Sequence, residues 1–259
     1  MSRPILSACL AVVALAGLAG PVAAQEVVRL GTTPESYPPF TWVDAQGKLN
    51  GFEIEIGDAL CAQMQVKCEW VLQSWDGIIP ALQEKKFDAI IASMGITDER
   101  KQVVDFSEKY YDSPAIFIGP KSETIEISPA GMQGKTVGVQ VSTIHANYIE
   151  AKYKGIVTIK TYDTQENANL DLIAGRVDLL LADSVALTDG FLKSPEGADF
   201  EVKGQPIRDP LLGDGSGIAV RKDDTALRDK FSAAIKAIRA NGVYKTINDK
   251  YFTFDIYGG

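Results

Sequence analysis

The chain holds one histidine, His145, and three cysteines, Cys9, Cys61 and Cys68, among 259 residues. A single histidine excludes a metal site built on clustered imidazoles, and no nucleophile elbow or Cys–His arrangement accompanies it. Lying near the start of a helix predicted from about Thr143, it reads as a surface residue. No phosphate loop or dinucleotide fingerprint is present. The sequence therefore lends catalysis no support, and no cofactor or metal is expected. Basic residues are the minority, 26 against 34 acidic for a formal charge of −8. That balance argues against nucleic acid but is compatible with a small cationic ligand, which a negative protein attracts at long range. Beyond the first residues no apolar run approaches the roughly 20 residues of a transmembrane helix, so membrane insertion is not expected.

What is present begins with a leader. Arg3 supplies a positive start, Ile5 to Ala19 an apolar stretch, and Val22-Ala23-Ala24 a small-residue cleavage site, so residues 1–24 are expected to be removed after export to the periplasm. Leu6-Ser7-Ala8-Cys9 resembles a lipoprotein box only superficially, because most of the apolar stretch follows Cys9. The remaining chain carries 25 basic and 34 acidic side chains, a charge of −9. It keeps two cysteines, an even pair in an oxidising compartment, expected to form the disulfide Cys61–Cys68. Zinc is the competing reading, but two cysteines and one histidine need carboxylates to complete a tetrahedron.

Strand and helix patterns alternate along the chain. Val27 to Gly31 reads as a strand, followed by a Pro-rich turn, Tyr37-Pro-Pro-Phe40; Phe52 to Met64 has helical spacing. Glu69 to Gln73 returns to strand, Asp76 to Glu84 is a helix with Pro80 near its first turn, and Phe87 to Ile91 is a buried-type strand. A second series begins after Asp112-Ser-Pro114. Its strands are predicted at Ala115 to Ile118, Thr136 to Val139, Val157 to Lys160 and Val177 to Leu181. Its helices start at about Thr143, after an Asp163/Glu166 capping pair, and at about Ser184. Gly217 to Arg221 is the last strand, and Asp224 to Ala240 and Tyr244 to Tyr251 are closing helices. The pattern predicts an α/β fold: two doubly wound lobes with mostly parallel sheets.

Ligands of such sheets bind beyond the carboxyl ends of strands. Three ends carry polar punctuation: Ala92 to Thr97, Val139 to Thr143, and Ala182-Asp183. They come from both lobes, so a ligand touching all three lies between them, the geometry of hinge closure. In the first, Gly95 admits a ligand to the backbone, Thr97 and Asp98 sit where a helix would start, and Arg100 falls in its first turn. A helix N-terminus and a guanidinium fork together suit a carboxylate. The competing reading is a capped helix with a surface arginine. Asp183 could accept an ammonium or cap the helix at Ser184. Tyr37, Phe40 and Trp75 are core aromatics or faces that sandwich a ligand; Glu35 is a solvated carboxylate or a partner for a distal cation.

Taken together, several segments resemble the polar amino-acid-binding proteins of bacterial ABC importers, particularly the lysine/arginine/ornithine-, histidine- and opine-binding branch. They are Asn50-Gly-Phe-Glu-Ile-Glu-Ile56, Cys61 to Cys68, Trp75-Asp-Gly-Ile-Ile-Pro80, Phe87 to Arg100, Gly175-Arg-Val-Asp178, Gly213-Asp-Gly-Ser-Gly217, Arg221-Lys-Asp-Asp224 and Lys250 to Tyr257. The resemblance implies the type II periplasmic-binding-protein fold with a two-crossover hinge, at about 111–115 and 205–209. The first lobe would then be discontinuous, 25–111 and 210–259, with 112–209 as the second. It implies Arg100 as the clamp on the ligand α-carboxylate, with Gly95 and Thr143 assisting, Asp183 and Ser93 on the α-ammonium, and Tyr37 and Trp75 around the side chain. Met94 and Thr97 fall within the same loop.

The chain departs from the family pattern at three places. Gly95 replaces a frequent Ser or Thr. Val139 to Thr143 is one residue shorter than the usual turn, which leaves Gln140, Val141 and Ser142 as alternatives for facing the ligand. Thr32 to Glu35 is out of register with the acidic residue relatives place on a distal cation. The implied function is capture of a cationic L-amino acid (arginine, lysine, ornithine or histidine) by a monomer that delivers it to an inner-membrane ABC permease. An opine or neutral polar amino acid, or a lyase resembling cyclohexadienyl dehydratase, is the alternative.

Overall fold

The computed structural model describes residues 26–258; the expected leader, with Cys9, lies outside them. The chain starts in β1 (Val27–Thr32), turns through a short hairpin of β2 (Trp42–Val43) and β3 (Leu49–Asn50), and enters α1 (Phe52–Met64). β4 (Lys67–Leu72), α2 (Ile78–Gln83), β5 (Ala89–Ile90) and β6 (Asp105–Tyr111) complete the first pass. The chain then crosses to a second sheet: β7 (Ala115–Pro120), β8 (Thr136–Gln140), α3 (Ile144–Tyr153), β9 (Thr158–Tyr162), α4 (Gln165–Ile173), β10 (Leu179–Asp183) and β11 (Phe200–Ile207). It returns through β12 (Ser216–Val220), α5 (Thr225–Ala240) and α6 (Val243–Tyr251).

The strand orders are β4-β1-β5-β12-β6 and β11-β7-β10-β8-β9. In each sheet the fourth strand from the parallel edge, β12 or β7, runs against both neighbours, so four of five strands share one direction. Two connections join the lobes, one between Tyr111 and Ala115 and one between Ile207 and Ser216. On the return Leu212 still packs in the second lobe's core.

Alternation along the strands buries both faces of each sheet. Leu179 and Leu181 point to the layer holding Tyr148, Ile149 and Tyr153 of α3, while Leu180 and Ala182 point to Ala168 and Leu172 of α4. In the first lobe Val28 and Leu30 pack with Phe52, Ile56 and Leu60 of α1 and Phe231 and Ile235 of α5; Ile90 packs with Ile78 and Leu82 of α2 on the other face. Each Val, Leu, Ile or Phe among them contributes about 1.5–3 kcal/mol of burial. Cys61 of α1 is bonded to Cys68 of β4, so the bridge ties the helix end to the following strand.

Several local expectations are corrected. Arg100 does not open an α-helix: Arg100–Gln102 is a single 3-10 turn, because the chain must extend again by Asp105 to form β6. Thr164, not Asp163, caps α4, accepting from Asn167 N. Ala186–Leu192 is a π-helical turn rather than a regular helix, and Asp183 does not cap it. Phe40 is fully buried against Tyr111, ring centroids 4.6 Å apart, and belongs to the core.

Candidate functional site

The carboxyl ends of β1, β5, β8 and β10 converge on one cleft between the lobes. From the first lobe it is lined by Glu35, Tyr37, Trp75, Ser93 and Arg100, with Thr33, Ser36, Thr41, Glu53 and Ala92; from the second by Gln140, Thr143 and Asp183, with Ile144, His145 and Gln165. Eight of the twelve ligand residues expected from the sequence thus share one cavity. The other four do not line it. Met94 is fully buried in the first lobe's core, in the cluster that holds Ile78, Leu82 and Phe106. Thr97 Oγ1 accepts the Arg100 amide at 3.2 Å. Gly95 lines an adjoining pocket at the interlobe connections, and a Cβ there would lie 3.0 Å from Ile144 Cδ1 of the opposite lobe. Ser142 exposes its side chain and turns its carbonyl to Arg100.

Side chains bridge the two walls. Arg100 Nη1 donates to Gly95 O at 3.0 Å and its Nη2 to Ser142 O at 3.1 Å, with the guanidinium 5.3 Å from the Trp75 ring. Trp75 Nε1 donates to Val141 O at 3.1 Å, and Tyr37 OH to Asp183 Oδ2 at 2.7 Å. At the rim Asn147 Nδ2 donates to Glu99 Oε2 at 2.8 Å. Ser93 and Ser142, on opposite walls, both hold positive φ, 53° and 59°. Non-glycine residues rarely adopt that conformation, at a cost of about 1–3 kcal/mol, and it clusters at binding sites.

Burial dominates the electrostatics. It lowers the Arg100 guanidinium to about 10, opposed by Glu99 and Asp183, so the group stays charged at neutral pH. It raises Asp183 to about 6 against the Tyr37 hydrogen bond and the Arg100 charge, and lowers His145 to about 3, helped by Arg100. The cleft therefore presents a cation on one wall and a titratable carboxylate on the other. Among the described residues five buried side-chain polar atoms have no hydrogen-bond partner, and three of them, Glu35 Oε2, Ser93 Oγ and His145 Nε2, belong to cleft residues. Buried polar groups are ordinarily satisfied, so this concentration makes the cleft the candidate site for a polar ligand. Glu35, read from the sequence as either a solvated loop carboxylate or a partner for a distal cation, is half-buried with Oε2 among these atoms.

Two residues were not legible as site residues in the sequence. His145 is 5 % exposed and not on the surface; the first turn of α3 faces the opposite lobe, which no local pattern reports. Glu53, in the first turn of α1, turns inward. Its Oε1 accepts from Ser93 N at 2.6 Å and from Tyr110 OH, its Oε2 from Thr41 Oγ1 at 3.1 Å, and burial raises its pKa. It thereby holds the loop that carries Ser93.

The sequence and the fold both have known relatives. The chain is 47 % identical over 254 residues to the L-arginine-binding protein of Pseudomonas aeruginosa, covering 97 % of this chain and 98 % of that protein. It is 40 % identical over 260 residues to the lysine/arginine/ornithine-binding periplasmic protein of Escherichia coli, covering all of both. A solved periplasmic binding protein of Salmonella typhimurium, described as having high arginine specificity, superposes with a TM-score of 0.80 at 36 % identity, covering 88 % of this chain and all of that one. Residues 28–254 match the bacterial extracellular solute-binding proteins, family 3. The order of the strands, the cleft between two lobes and the match over nearly the whole described chain agree, and the protein belongs to family 3 of the bacterial extracellular solute-binding proteins.

Proposed function

We propose that the protein is a receptor, not a catalyst, that captures a cationic L-amino acid in the interlobe cleft and passes it to an ABC permease of the inner membrane. The observation that carries this reading is the convergence of Arg100 and Asp183 from opposite walls on one cavity. A zwitterion needs both: a guanidinium fork for its α-carboxylate and a carboxylate for its α-ammonium. Thr143 lines the carboxylate end, Gly95 O holds the Arg100 guanidinium from the adjoining pocket, and Ser93 joins Asp183. In this reading Tyr37 and Trp75 bound the space for the side chain and Glu35 meets its distal charge; the unpartnered Glu35 oxygen in the cleft supports that role. Arginine, a ligand named for all three of the relatives described above, meets each of these features, as do lysine and ornithine.

Closure runs about the two connections, at about 111–115 and between Ile207 and Ser216; the second lies a little later in the chain than the 205–209 expected, because β11 runs to Ile207 and Leu212 still packs with the second lobe. Bonds such as Trp75 to Val141 and Asn147 to Glu99 then form on closing. A leader spanning residues 1–24 directs the monomer to the periplasm. A thermal-shift panel of the twenty amino acids and representative opines tests the reading: arginine, lysine, ornithine or histidine should raise Tm most, and a panel led by neutral amino acids or opines would reject it.

A further inference from the structure

His145 is the one histidine of the chain, and it stands in the cleft wall with Nε2 buried and unpartnered. Nε2 lies 3.8 Å from Asp183 Oδ1. That separation is too long for a hydrogen bond between them. It nevertheless suits a shared donor, since a nitrogen about 2.9 Å from each of two acceptors can serve any pair closer than about 5.8 Å. The other Asp183 oxygen is occupied by Tyr37 OH, so Oδ1 is the one that remains beside the imidazole. Across the cavity Ser93 Oγ is likewise unpartnered.

The charged groups facing the ring are Asp183 from β10 and Arg100 from the opposite lobe; Tyr37 acts through Asp183, and Gln165 of α4 is neutral. Burial and the Arg100 cation both favour the uncharged imidazole. An uncharged ring has one nitrogen that accepts a hydrogen bond. An imidazolium could only donate, and would set a further positive charge beside any ammonium held by Asp183.

We infer that His145 is a ligand-contacting, specificity-determining residue: its neutral Nε2 accepts a hydrogen bond from the α-ammonium of the bound amino acid, which it shares with Asp183. The inference rests on the amino-acid-receptor reading and sharpens it. An α-ammonium has three N–H groups, and Asp183 Oδ1, Ser93 Oγ and His145 Nε2 offer three acceptors. A primary ammonium satisfies all three. An N-alkylated one, as in opines, leaves one acceptor buried and unpaired, so the cleft discriminates against N-substituted ligands.

The test uses calorimetry with L-arginine and with 5-guanidinopentanoate, which keeps the carboxylate and guanidinium but lacks the α-amino group. His145→Leu should weaken L-arginine about ten- to a hundredfold and leave 5-guanidinopentanoate unchanged, and His145→Gln should recover most of the loss. In the unaltered protein the 15N spectrum of the single imidazole should show Nε2 unprotonated and shifted by L-arginine but not by the des-amino analogue. Wild-type affinity for L-arginine in His145→Leu, equal weakening of both ligands, or a protonated Nε2 in the complex would overturn the assignment. The spectrum decides the matter even if the leucine variant does not fold. If the wild type binds no amino acid, the receptor reading falls and this inference with it; if it binds and the His145 results fail, only this inference falls.

Discussion

Removing the Arg100 guanidinium should abolish useful binding and leave the fold intact. The group is half-buried, serves Gly95 O and Ser142 O at 3.0 and 3.1 Å, and lies 5.3 Å from the Trp75 ring. With its pKa at about 10 it is protonated in all but about one molecule in a thousand at pH 7. Its value to a ligand is a charge-assisted fork in a site sheltered by Trp75. Truncating one partner of such a pair costs about 2–5 kcal/mol, or a loss of about 30- to 4,000-fold in affinity. The cost to the fold is small, because Gly95 borders the adjoining interlobe pocket and Ser142 is exposed, so water can take the place of the guanidinium. Calorimetry of Arg100→Ala with L-arginine, beside its thermal unfolding, checks both halves. Arg100→Lys, which keeps the charge but not the fork, should fall between. A cooperative Arg100→Ala protein whose affinity stays within a factor of three of the wild type would refute the clamp.

Burial holds Asp183 at about 6, and a protonated carboxyl cannot balance an ammonium, so L-arginine affinity should be level above about pH 6 and fall about tenfold per unit below it; a flat profile from pH 7.5 to 4.5 would contradict this. The same raised pKa stabilises the ligand-free fold most below about 3.8, and that contribution is lost as pH rises through about 6. His145, depressed to about 3, acts in the opposite sense, stabilising above about 6.5 and losing that contribution as pH falls. Trp75→Ala removes the ring over Arg100 and the Val141 bond, and should weaken every amino acid about two- to thirtyfold irrespective of its side-chain charge. Reducing Cys61–Cys68 should lower Tm through the loss of about 2.5 kcal/mol while room-temperature binding survives, and thiol titration of the native protein should find no reactive group.

Much of the fold is legible because its strands and helices are buried by simple periodicity: α1 spans Phe52–Met64 in the structure as its spacing predicts. Four strands escape notice: β2 and β3 are only two residues each, and β6 and β11 lie at the edges of their sheets. β11 exposes most of its residues and carries Gly204 and Pro206 at a shift in register, so neither an apolar run nor clean alternation marks it. In the cleft, Arg100, Asp183 and Ser93 can be read as polar punctuation at strand ends. His145 and Glu53 cannot, because their burial depends on packing distant in sequence: the opposite lobe over α3, and the Ser93 loop over α1. Met94 shows the converse, a residue inside the right motif whose side chain points into the core.

The central claim, a cleft built for a cationic amino acid, is tested most directly by the ratio of L-arginine to L-glutamine affinity in the wild type and in Glu35→Gln. A charged hydrogen bond in the cleft is worth about 1.5–3 kcal/mol, so arginine should bind about ten- to a hundredfold more tightly than glutamine. Glu35→Gln should erase most of that ratio by weakening arginine alone. Glutamine binding as tightly as arginine, with Glu35→Gln silent, would contradict the claim and leave a general receptor for polar amino acids.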